Sequence, residues 1–463
     1  VVNLQATFGV SIIKEMNPSE EKQKSGLTES ESKTERDTST STNPQKRMTS
    51  PTRNSSTLVP SQKHQCTSHQ SSNTVQTDVS FISTLGDFEV LPLEIFEIIL
   101  GFVSVKGIGM MSMVSKIINN RVVNYISAPS ATKRLFPQDF HNPEQSDYIR
   151  CSILEHYGSL GLLFKRCTLL LPTRERLKYI NKILTEISCF KFNGCSDPLH
   201  CFGLHCYGEF LETLTAGWDE SECHGVYNFL CEVTNLPQKI QKVVSSEPGQ
   251  FHNLELRLRT FCRGVLLNHW IDRSDSAFWL GCILNPWPVV NQARLLYLMF
   301  GPASTQDGHV AWQNMIEDEA DENSLRELAD AVKLLHDNQT NEWLENDFVK
   351  LIVALTEIPQ EWRLENTARF LILCGNQICF SFMASKAASG QTMEMARLVV
   401  FLALVCEKDI YGMDWAVKTM QQVCNILGDH NEEEARFLNL FHLVNAQANF
   451  HKEILYLTMN YDM

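Results

Sequence analysis

Apolar residues at helical spacing run through most of this chain, and this pattern limits its fold more than any other feature. In PTRERLKYINKILTEI, which begins at Pro172, five apolar residues fall on one helix face. TMEMARLVVFLALVCEK, from Thr392, is apolar nearly all round and is typical of a buried central helix. Because no segment shows the clean period-two alternation of a half-buried strand, we predict an all-α fold.

The N-terminal part of the chain has a different composition. Residues 17–80 are rich in Ser, Thr, Gln and Asn, and they cannot bury enough apolar surface to offset the conformational entropy lost on folding. We therefore expect residues 1–80 to form a disordered, Ser/Thr-rich tail. Residues 150–463 predict a large all-helical region, in which helix pairs separated by Pro/Gly turns suit an irregular solenoid.

Charge and cysteine content argue against several classes of function. A net charge of −14 disfavours a general nucleic-acid binder, which needs a basic face. Fifteen scattered cysteines without a secretory signal predict free thiols in a reducing compartment. The most apolar run, Leu398 to Cys406, has about half of the ~20 residues that a spanning helix needs. We expect an intracellular protein of the cytoplasm and/or nucleus, with no membrane and no direct nucleic-acid partner.

A strongly hydrophobic helix is predicted directly after the tail, in LPLEIFEIILGFV. Pro92 suits the first helical turn, and Glu94 places a negative charge near the positive end of the helix dipole. Two weaker helical stripes follow, and a unit of about 40 residues has too small a core to be stable without a partner. The pattern predicts a docking helix. Its apolar stripe consists of Leu91, Ile95, Ile98, Ile99 and Phe102.

The segment 84–127 contains a spaced set of residues: Leu91-Pro92-x-Glu94-Ile95, Ile99-Leu100, Val103, Ile108 and Val114-Ser115-Lys116. In residue types and spacing this set resembles an F-box. It implies three small helices that dock on the Skp-type adaptor of a cullin–RING ubiquitin ligase. Gly107 stands where the family usually has Asp or Glu, which predicts a weaker cap for the second helix. The implied adaptor-binding residues are Leu91, Pro92, Glu94, Ile95, Ile98, Ile99, Leu100, Val103, Ile108 and Val114.

The resemblance implies a substrate-recognition subunit of a Skp–cullin–F-box type E3 ubiquitin ligase. In such a subunit the helical region holds an unknown protein substrate, and the chain itself is not an enzyme. Nearly everything from about residue 81 also resembles a member of the F-box family, in segments such as NQARLLYLMFGP, although helical sequence expected between Cys424 and Phe437 is missing. The alternative function is a helical scaffold that uses the F-box only for assembly and ubiquitinates nothing.

Cysteine and histidine residues concentrate in NGCSDPLHCFGLHCYGEF. Zinc needs four sulfur or nitrogen ligands, often in pairs about two to four residues apart. Because adjacent ligands do not match the spacing of a standard zinc module, we favour buried free cysteines and expect no metal and no cofactor. We also predict no catalytic residue, since a cysteine nucleophile needs a neighbouring base or a positive site. The residues weighed as zinc ligands are Cys189, Cys195, His200, Cys201, His205 and Cys206.

A basic cluster and several tryptophans leave further alternatives. The cluster could bind an acidic or phosphorylated segment of a target, because Arg side chains suit phosphate, but a solvated helix face is favoured. The tryptophans are interpreted as core anchors. The cluster consists of Lys165, Arg166, Arg174, Arg176 and Lys178, and the tryptophans are Trp279, Trp287, Trp312, Trp343 and Trp362.

Overall fold

Helices make up nearly all of the regular structure. The structure, a computed structural model, describes residues 91–142, 146–270, 273–338 and 345–411 and scattered residues from 415 to 452. Within these segments no β-strand forms, and an isolated antiparallel bridge joins Ala303 to Val310. The predicted all-α fold is therefore confirmed. None of the described helices combines the length and the apolar content needed to cross a membrane.

Several predictions fall outside the described residues. They are the disordered tail of residues 1–80, the first part of the F-box-like segment (84–90), Trp343, and the region between Cys424 and Phe437. The boundaries proposed for the three domains also stay predictions.

Four short helices follow one another at the start of the described chain. They are α1 (Leu93–Phe102), α2 (Val105–Met111), α3 (Lys116–Ser127) and α4 (Pro129–Leu135). Pro92 lies immediately before α1, at its N-cap, rather than inside the first turn. Serine side chains cap α2 and α3, because the Ser104 Oγ accepts from the Gly107 N–H at 3.2 Å and the Ser115 Oγ accepts from the Ile118 N–H at 3.1 Å. The expected weakness at Gly107 is thus offset by Ser104.

The remaining helices form the larger part of the molecule. A 3₁₀ turn at Ser188–Phe190 precedes α7, and a π-helical turn at Cys262–Leu267 continues α10. These helices are α5 (Asp147–Cys167), α6 (Thr173–Leu184), α7 (Gly203–Thr215), α8 (Glu220–Thr234), α9 (Leu236–Val244), α10 (His252–Phe261), α11 (Arg273–Leu284), α12 (Val289–Phe300), α13 (Asn314–Glu317), α14 (Glu322–Asp337), α15 (Glu345–Thr356), α16 (Leu364–Cys374), α17 (Asn376–Ala388) and α18 (Thr392–Lys408).

Helix α5 connects the first four helices to the rest of the chain. It packs most extensively on α7, and its C-terminal half also packs on α2. The close approach to α7 requires glycine, because a Cβ at Gly161 would collide with the Phe210 carbonyl oxygen. A Cβ at Gly158 would lie 2.9 Å from a Glu209 carboxylate oxygen. These glycines therefore set the distance between α5 and α7.

Large aromatic residues fill the core of the helical region. Trp279, Trp312 and Trp362 are at most 5% exposed, as expected of core anchors, whereas Trp287 is half-buried. The Trp312 indole N–H donates to the buried carboxylate of Glu255 at 2.9 Å, so this polar group in the core is satisfied.

The start of α14 corrects one detail of the sequence interpretation. Ser324 and Glu327 have the spacing of a capping box, but the Asp321 carboxylate accepts from the Ser324 N–H at 2.8 Å and caps the helix. Glu327 instead pairs with Arg263 at 2.8 Å.

Candidate functional site

Helix α1 presents two different apolar faces. Phe96 and Leu100 are completely buried and attach the helix to α2–α4. On the other face, Ile95 is 45% exposed and Ile98 is 57% exposed, and Phe102 at the C-terminal end is 88% exposed. A face of large apolar side chains in water is typical of a protein-binding surface. We call this exposed face of α1, from Ile95 through Ile98 to Phe102, the α1 stripe.

The predicted adaptor-binding residues fall into three groups by burial. Leu100 and Ile108 are fully buried, and their side chains belong to the core beneath the surface. Their contact with an adaptor stays a prediction. The half-buried residues are Leu91, Ile99 and Val103, and the exposed residues are Pro92, Glu94, Ile95, Ile98 and Val114.

Two arginines hold the ends of α1. The Arg121 guanidinium, from α3, donates to the Leu91 carbonyl oxygen at 2.9 Å and lies 5.4 Å from the ring centroid of Phe96. At the other end, Arg134 from α4 donates to the carbonyl oxygens of Leu100 at 2.6 Å and Val103 at 2.8 Å. The Leu100 carbonyl also accepts from the Val103 N–H at 3.2 Å, and a cation is favoured at this negative end of the helix dipole. The arginines therefore hold α1, and with it the α1 stripe, in place against α3 and α4.

Exposed apolar residues outside the α1 stripe continue onto the turn between α2 and α3 and the helix ends beside it. Met110, Met113 and Val114 are each 59% exposed, and Ile117 at the start of α3 is 48% exposed. Val114 was already among the residues implied by the resemblance, but periodicity within α1 could not reveal Met110, Met113 and Ile117, since they lie outside that helix. Their concentration in the short segment MMSMVSKII is the sequence signal that could have identified them.

The described part of the F-box-like segment is tied to the helical region by side-chain contacts. The Ser127 hydroxyl, at the end of α3, hydrogen-bonds to the Tyr179 hydroxyl of α6 at 2.6 Å. The Cys167 thiol, at the end of α5, hydrogen-bonds to the Ser112 side chain, and burial raises the pKa of this thiol to about 11. A thiol with so high a pKa stays protonated, so Cys167 contributes packing rather than chemistry.

The predicted basic cluster does not form a phosphate-binding site. Arg176 is 6% exposed, donates to the carbonyl oxygens of Thr168 and Leu169, and lies 4.7 Å from the Trp218 ring. Lys165 donates to the Ala216 carbonyl. Arg176 is thus used to hold a loop, and the favoured interpretation of the cluster as solvated surface applies to the exposed Arg174 and Lys178.

An open concavity in the helical region offers a second surface of interest. It has a volume of about 550 Å³ and is lined by the π-helical turn, α12 and α14, with Trp270 and Phe300 among its residues. Both of its cations are already paired: Arg263 forms two hydrogen bonds with the Glu327 carboxylate at 2.8 and 3.1 Å, and Lys333 lies 2.6 Å from the Asp330 carboxylate. Since both charges are paired, the concavity is not prepared for a phosphate group.

The six residues weighed as zinc ligands separate into two sets. His200 pairs with Asp197 at 2.9 Å, and the rings of His205 and His269 pack with centroids 5.6 Å apart. Cys206 is completely buried in α7. By contrast, the Sγ atoms of Cys189, Cys195 and Cys201 meet the His141 ring, and the four ligand atoms all lie within 4.8 Å of one another. Sequence spacing missed His141 because it lies 48 positions before Cys189.

Comparisons with known proteins agree with the F-box-like helices and the helical region. The chain is 60% identical to "F-box only protein 47" of Homo sapiens over 438 residues, which cover 87% of this chain and 97% of the human protein. It is 56% identical to "F-box only protein 47" of Mus musculus over 447 residues, covering 89% and 99%. A family model described as "FBXO47, ARM repeats" matches residues 232–461. No solved structure matches. The chain therefore belongs to the F-box only protein 47 family.

Proposed function

We propose that this chain is the substrate-recognition subunit of a Skp–cullin–F-box type E3 ubiquitin ligase, acting in the cytoplasm and/or nucleus. The α1 stripe and the adjoining turn bind the Skp-type adaptor, which connects the chain to a cullin–RING ligase. The helical region holds a protein substrate. The observation that carries this proposal is the exposed apolar face of α1, in a member of a family named for the F-box.

The proposed mechanism is proximity, without bond chemistry in this chain. A substrate held on the helical region and an adaptor held on α1 are parts of one assembly, so substrate lysines reach a high effective concentration near the charged conjugating enzyme. The tether between the two surfaces should be stiff for this purpose. The packing of α5 on both α2 and α7 supports such stiffness.

The adaptor interaction is tested by replacing an exposed residue of the α1 stripe. Ile98→Asp places a charge in the centre of the proposed interface while leaving the buried residues Phe96 and Leu100 in place. We expect adaptor affinity to fall at least about 30-fold, the loss typical of an interface hot spot. The measurement is binding of purified full-length chain to the adaptor, by calorimetry or surface plasmon resonance.

Val290→Asp is the matched control, because Val290 is 59% exposed on α12 and resembles Ile98 in exposure. This variant should bind the adaptor normally. Unchanged adaptor binding by Ile98→Asp would contradict the assignment of the α1 stripe.

Ligase activity is tested separately from docking. Partners that co-purify with the chain should be ubiquitinated in a reconstituted reaction, and their half-lives in cells should lengthen when the chain carries Ile98→Asp. If the partners instead change location while their half-lives stay the same, the proposed ligase function is wrong and a scaffold is favoured.

A further inference from the structure

We propose that His141, Cys189, Cys195 and Cys201 form a structural zinc site that fastens the segment after α4 to the loop between α6 and α7. The four residues come from separate places in the sequence. Their ligand atoms nevertheless converge to within 4.8 Å of one another. Three cysteines and one histidine are a usual ligand set for structural zinc.

The distances between the ligand atoms suit a single ion. The His141 Nε2 atom lies 3.3 Å from the Cys189 Sγ and 3.7 Å from the Cys195 Sγ. With Zn–S bonds of about 2.3 Å and Zn–N bonds of about 2.0–2.1 Å, tetrahedral coordination places sulfur and nitrogen about 3.6 Å apart. The observed separations lie on either side of this value, so one ion fits at the centre with little adjustment.

The surroundings of the four residues are built to hold the sulfur atoms in place. Cys189, Cys195 and Cys201 are each at most 8% exposed. The Gly203 N–H, at the start of α7, donates to the Cys201 Sγ at 3.4 Å, as expected where backbone amides support a thiolate ligand. A Cβ at Gly203 would lie only 2.9 Å from the Cys189 Cβ, so glycine lets this loop close around the cluster.

A half-buried arginine fixes the loop that carries Cys195. The Arg257 guanidinium, from α10, donates to the carbonyl oxygens of Cys195 at 3.1 Å and Phe192 at 3.4 Å. On the other side, the Phe202 N–H donates to the Phe140 carbonyl at 3.2 Å, which holds the residue before His141 against the residue after Cys201. The backbone therefore brings the ligands together through contacts that do not depend on the thiols.

The ligand count indicates a structural role for the ion. Four protein ligands complete a tetrahedral zinc site, and a catalytic site would keep a position open for water or substrate. His141 follows the first four helices, whereas the cysteines belong to the helical region. An ion bound to both would cross-link two parts of the chain about 50 residues apart. Closing a loop of this length lowers the conformational entropy of the unfolded chain. This role goes beyond adaptor docking and does not depend on it.

Metal analysis of the full-length chain tests the proposal directly. Purified without chelator under reducing conditions, the chain should contain about one zinc ion, measured by plasma mass spectrometry. X-ray absorption should show three sulfur ligands at about 2.3 Å and one nitrogen at about 2.0–2.1 Å. A zinc content near zero after incubation with a zinc salt would overturn the proposal. So would a disulfide between two of the three cysteines that persists in protein purified under reducing conditions.

Variants identify the ligands. Cys201→Ser and His141→Ala should each lower zinc affinity at least about tenfold in competition with a chromogenic chelator, since even indirect partners of a metal commonly contribute this much. His141→Cys supplies a fourth sulfur and should keep the ion. Because His141 is exposed, the contrast between its Ala and Cys variants remains measurable if Cys201→Ser does not fold.

The matched controls are His200→Ala and Cys206→Ala, which remove neighbouring residues outside the cluster. Both should retain about one zinc ion per chain. Loss of zinc in His200→Ala, together with retention in His141→Ala, would show that the ligand set is wrong.

Discussion

Helices α1 and α16 have similar lengths but opposite relations between composition and burial. Eight of the ten residues of α1 are apolar or glycine, yet Phe96 and Leu100 are its buried residues. Helix α16 has eleven residues, including Glu, Asn, Thr and Arg, and eight of the eleven are buried. The difference arises from neighbours, because α16 packs between α14 and α18 whereas one face of α1 meets solvent.

Asn366 and Arg369 of α16 can be buried because their side chains are hydrogen-bonded within the chain. The Arg369 guanidinium pairs with Asp409 at 2.7 Å and Glu319 at 2.8 Å, and it also donates to the Ala320 carbonyl. The Asn366 side-chain amide donates to the carbonyl oxygens of Met315 and Asp318. The comparison shows that contacts available within the chain, rather than polarity, decide which side chains are buried. Arg369 and Asn366 of α16 have partners within the chain, whereas the apolar side chains of the α1 stripe meet solvent.

The largest loss of stability should come from removing the buried cation of α16. Arg369→Ala removes the buried cation shared by Glu319 and Asp409, and because Glu319 keeps its pair with Lys408 we expect a loss of about 3 kcal/mol of unfolding free energy, the low end for a broken buried ion pair. Chemical denaturation of the full-length chain measures this loss. Arg174→Ala is the control, because the Arg174 side chain is 73% exposed and should contribute less than about 0.5 kcal/mol. A loss below about 1 kcal/mol for Arg369→Ala would show that the buried polar contacts of α16 contribute little to stability, and the contrast with α1 would fail.

The two faces of α1 should separate stability from binding. Phe96→Ala empties a fully buried site and should destabilise residues 91–135 by about 3 kcal/mol, near the low end for such changes. Phe102→Ala, at 88% exposure, should alter stability by less than about 0.5 kcal/mol while weakening the proposed adaptor interaction. Hydrogen exchange and adaptor binding measure the two effects. Equal destabilisation by both variants would show that Phe102 is a core residue.

A smaller effect is expected from loosening one end of α1. Arg134→Ala removes hydrogen bonds to the Leu100 and Val103 carbonyls at the surface, and we expect a local loss of about 1 kcal/mol. Faster hydrogen exchange at the C-terminal end of α1 is the measurement. Lys133→Ala, at the neighbouring exposed position, should leave exchange unchanged. If both variants exchange alike, Arg134 does not hold the helix.

The smallest effect near neutral pH concerns a histidine of the helical region. Burial, with contributions from His269 and Arg263, lowers the pKa of His205 to about 4, against about 6.5 in an unfolded chain. The unfolded state therefore binds more protons between these values, and stability falls as pH decreases from about 6.5 toward 4. At pH 6 the loss is below about 1 kcal/mol.

His205→Asn should flatten the dependence of the melting temperature on pH in this range. His200→Asn, at an exposed position, is the control and should keep the wild-type slope. A His205→Asn variant with the wild-type slope would place the acid-sensitive group elsewhere. Acid should therefore affect the helical region while the contacts that hold α1 remain.

The fold was largely predictable because it depends on local periodicity. Helix α6 begins at Thr173, directly after the predicted Pro172 start, and α18 begins at Thr392. The α1 stripe was also predictable as an apolar face. Periodicity alone could not show that Leu100 and Ile108 point inward, because α1 carries two apolar patches and the choice between them depends on α2–α4.

The candidate metal site could be predicted only in part. Its region was recognisable from clustered cysteines and histidines, but His141 joins them through the tertiary contact between Phe140 and Phe202. His200 and His205 lie nearer to the cysteines in sequence, yet they face Asp197 and His269. When ligands come from several segments, the tertiary path of the chain determines which of them meet. Local sequence does not specify that path.

The arginine contacts at the two ends of α1 have a consequence for the speed of assembly. With Arg121 and Arg134 holding the helix, the entropy of ordering α1 is lost during folding of the chain rather than at the encounter with a partner. Association then needs no slow rearrangement, and a rate constant of about 10⁵–10⁷ M⁻¹s⁻¹, typical of rigid protein pairs, is expected. The lifetime of the proposed complex with the adaptor would then be governed by its dissociation rate.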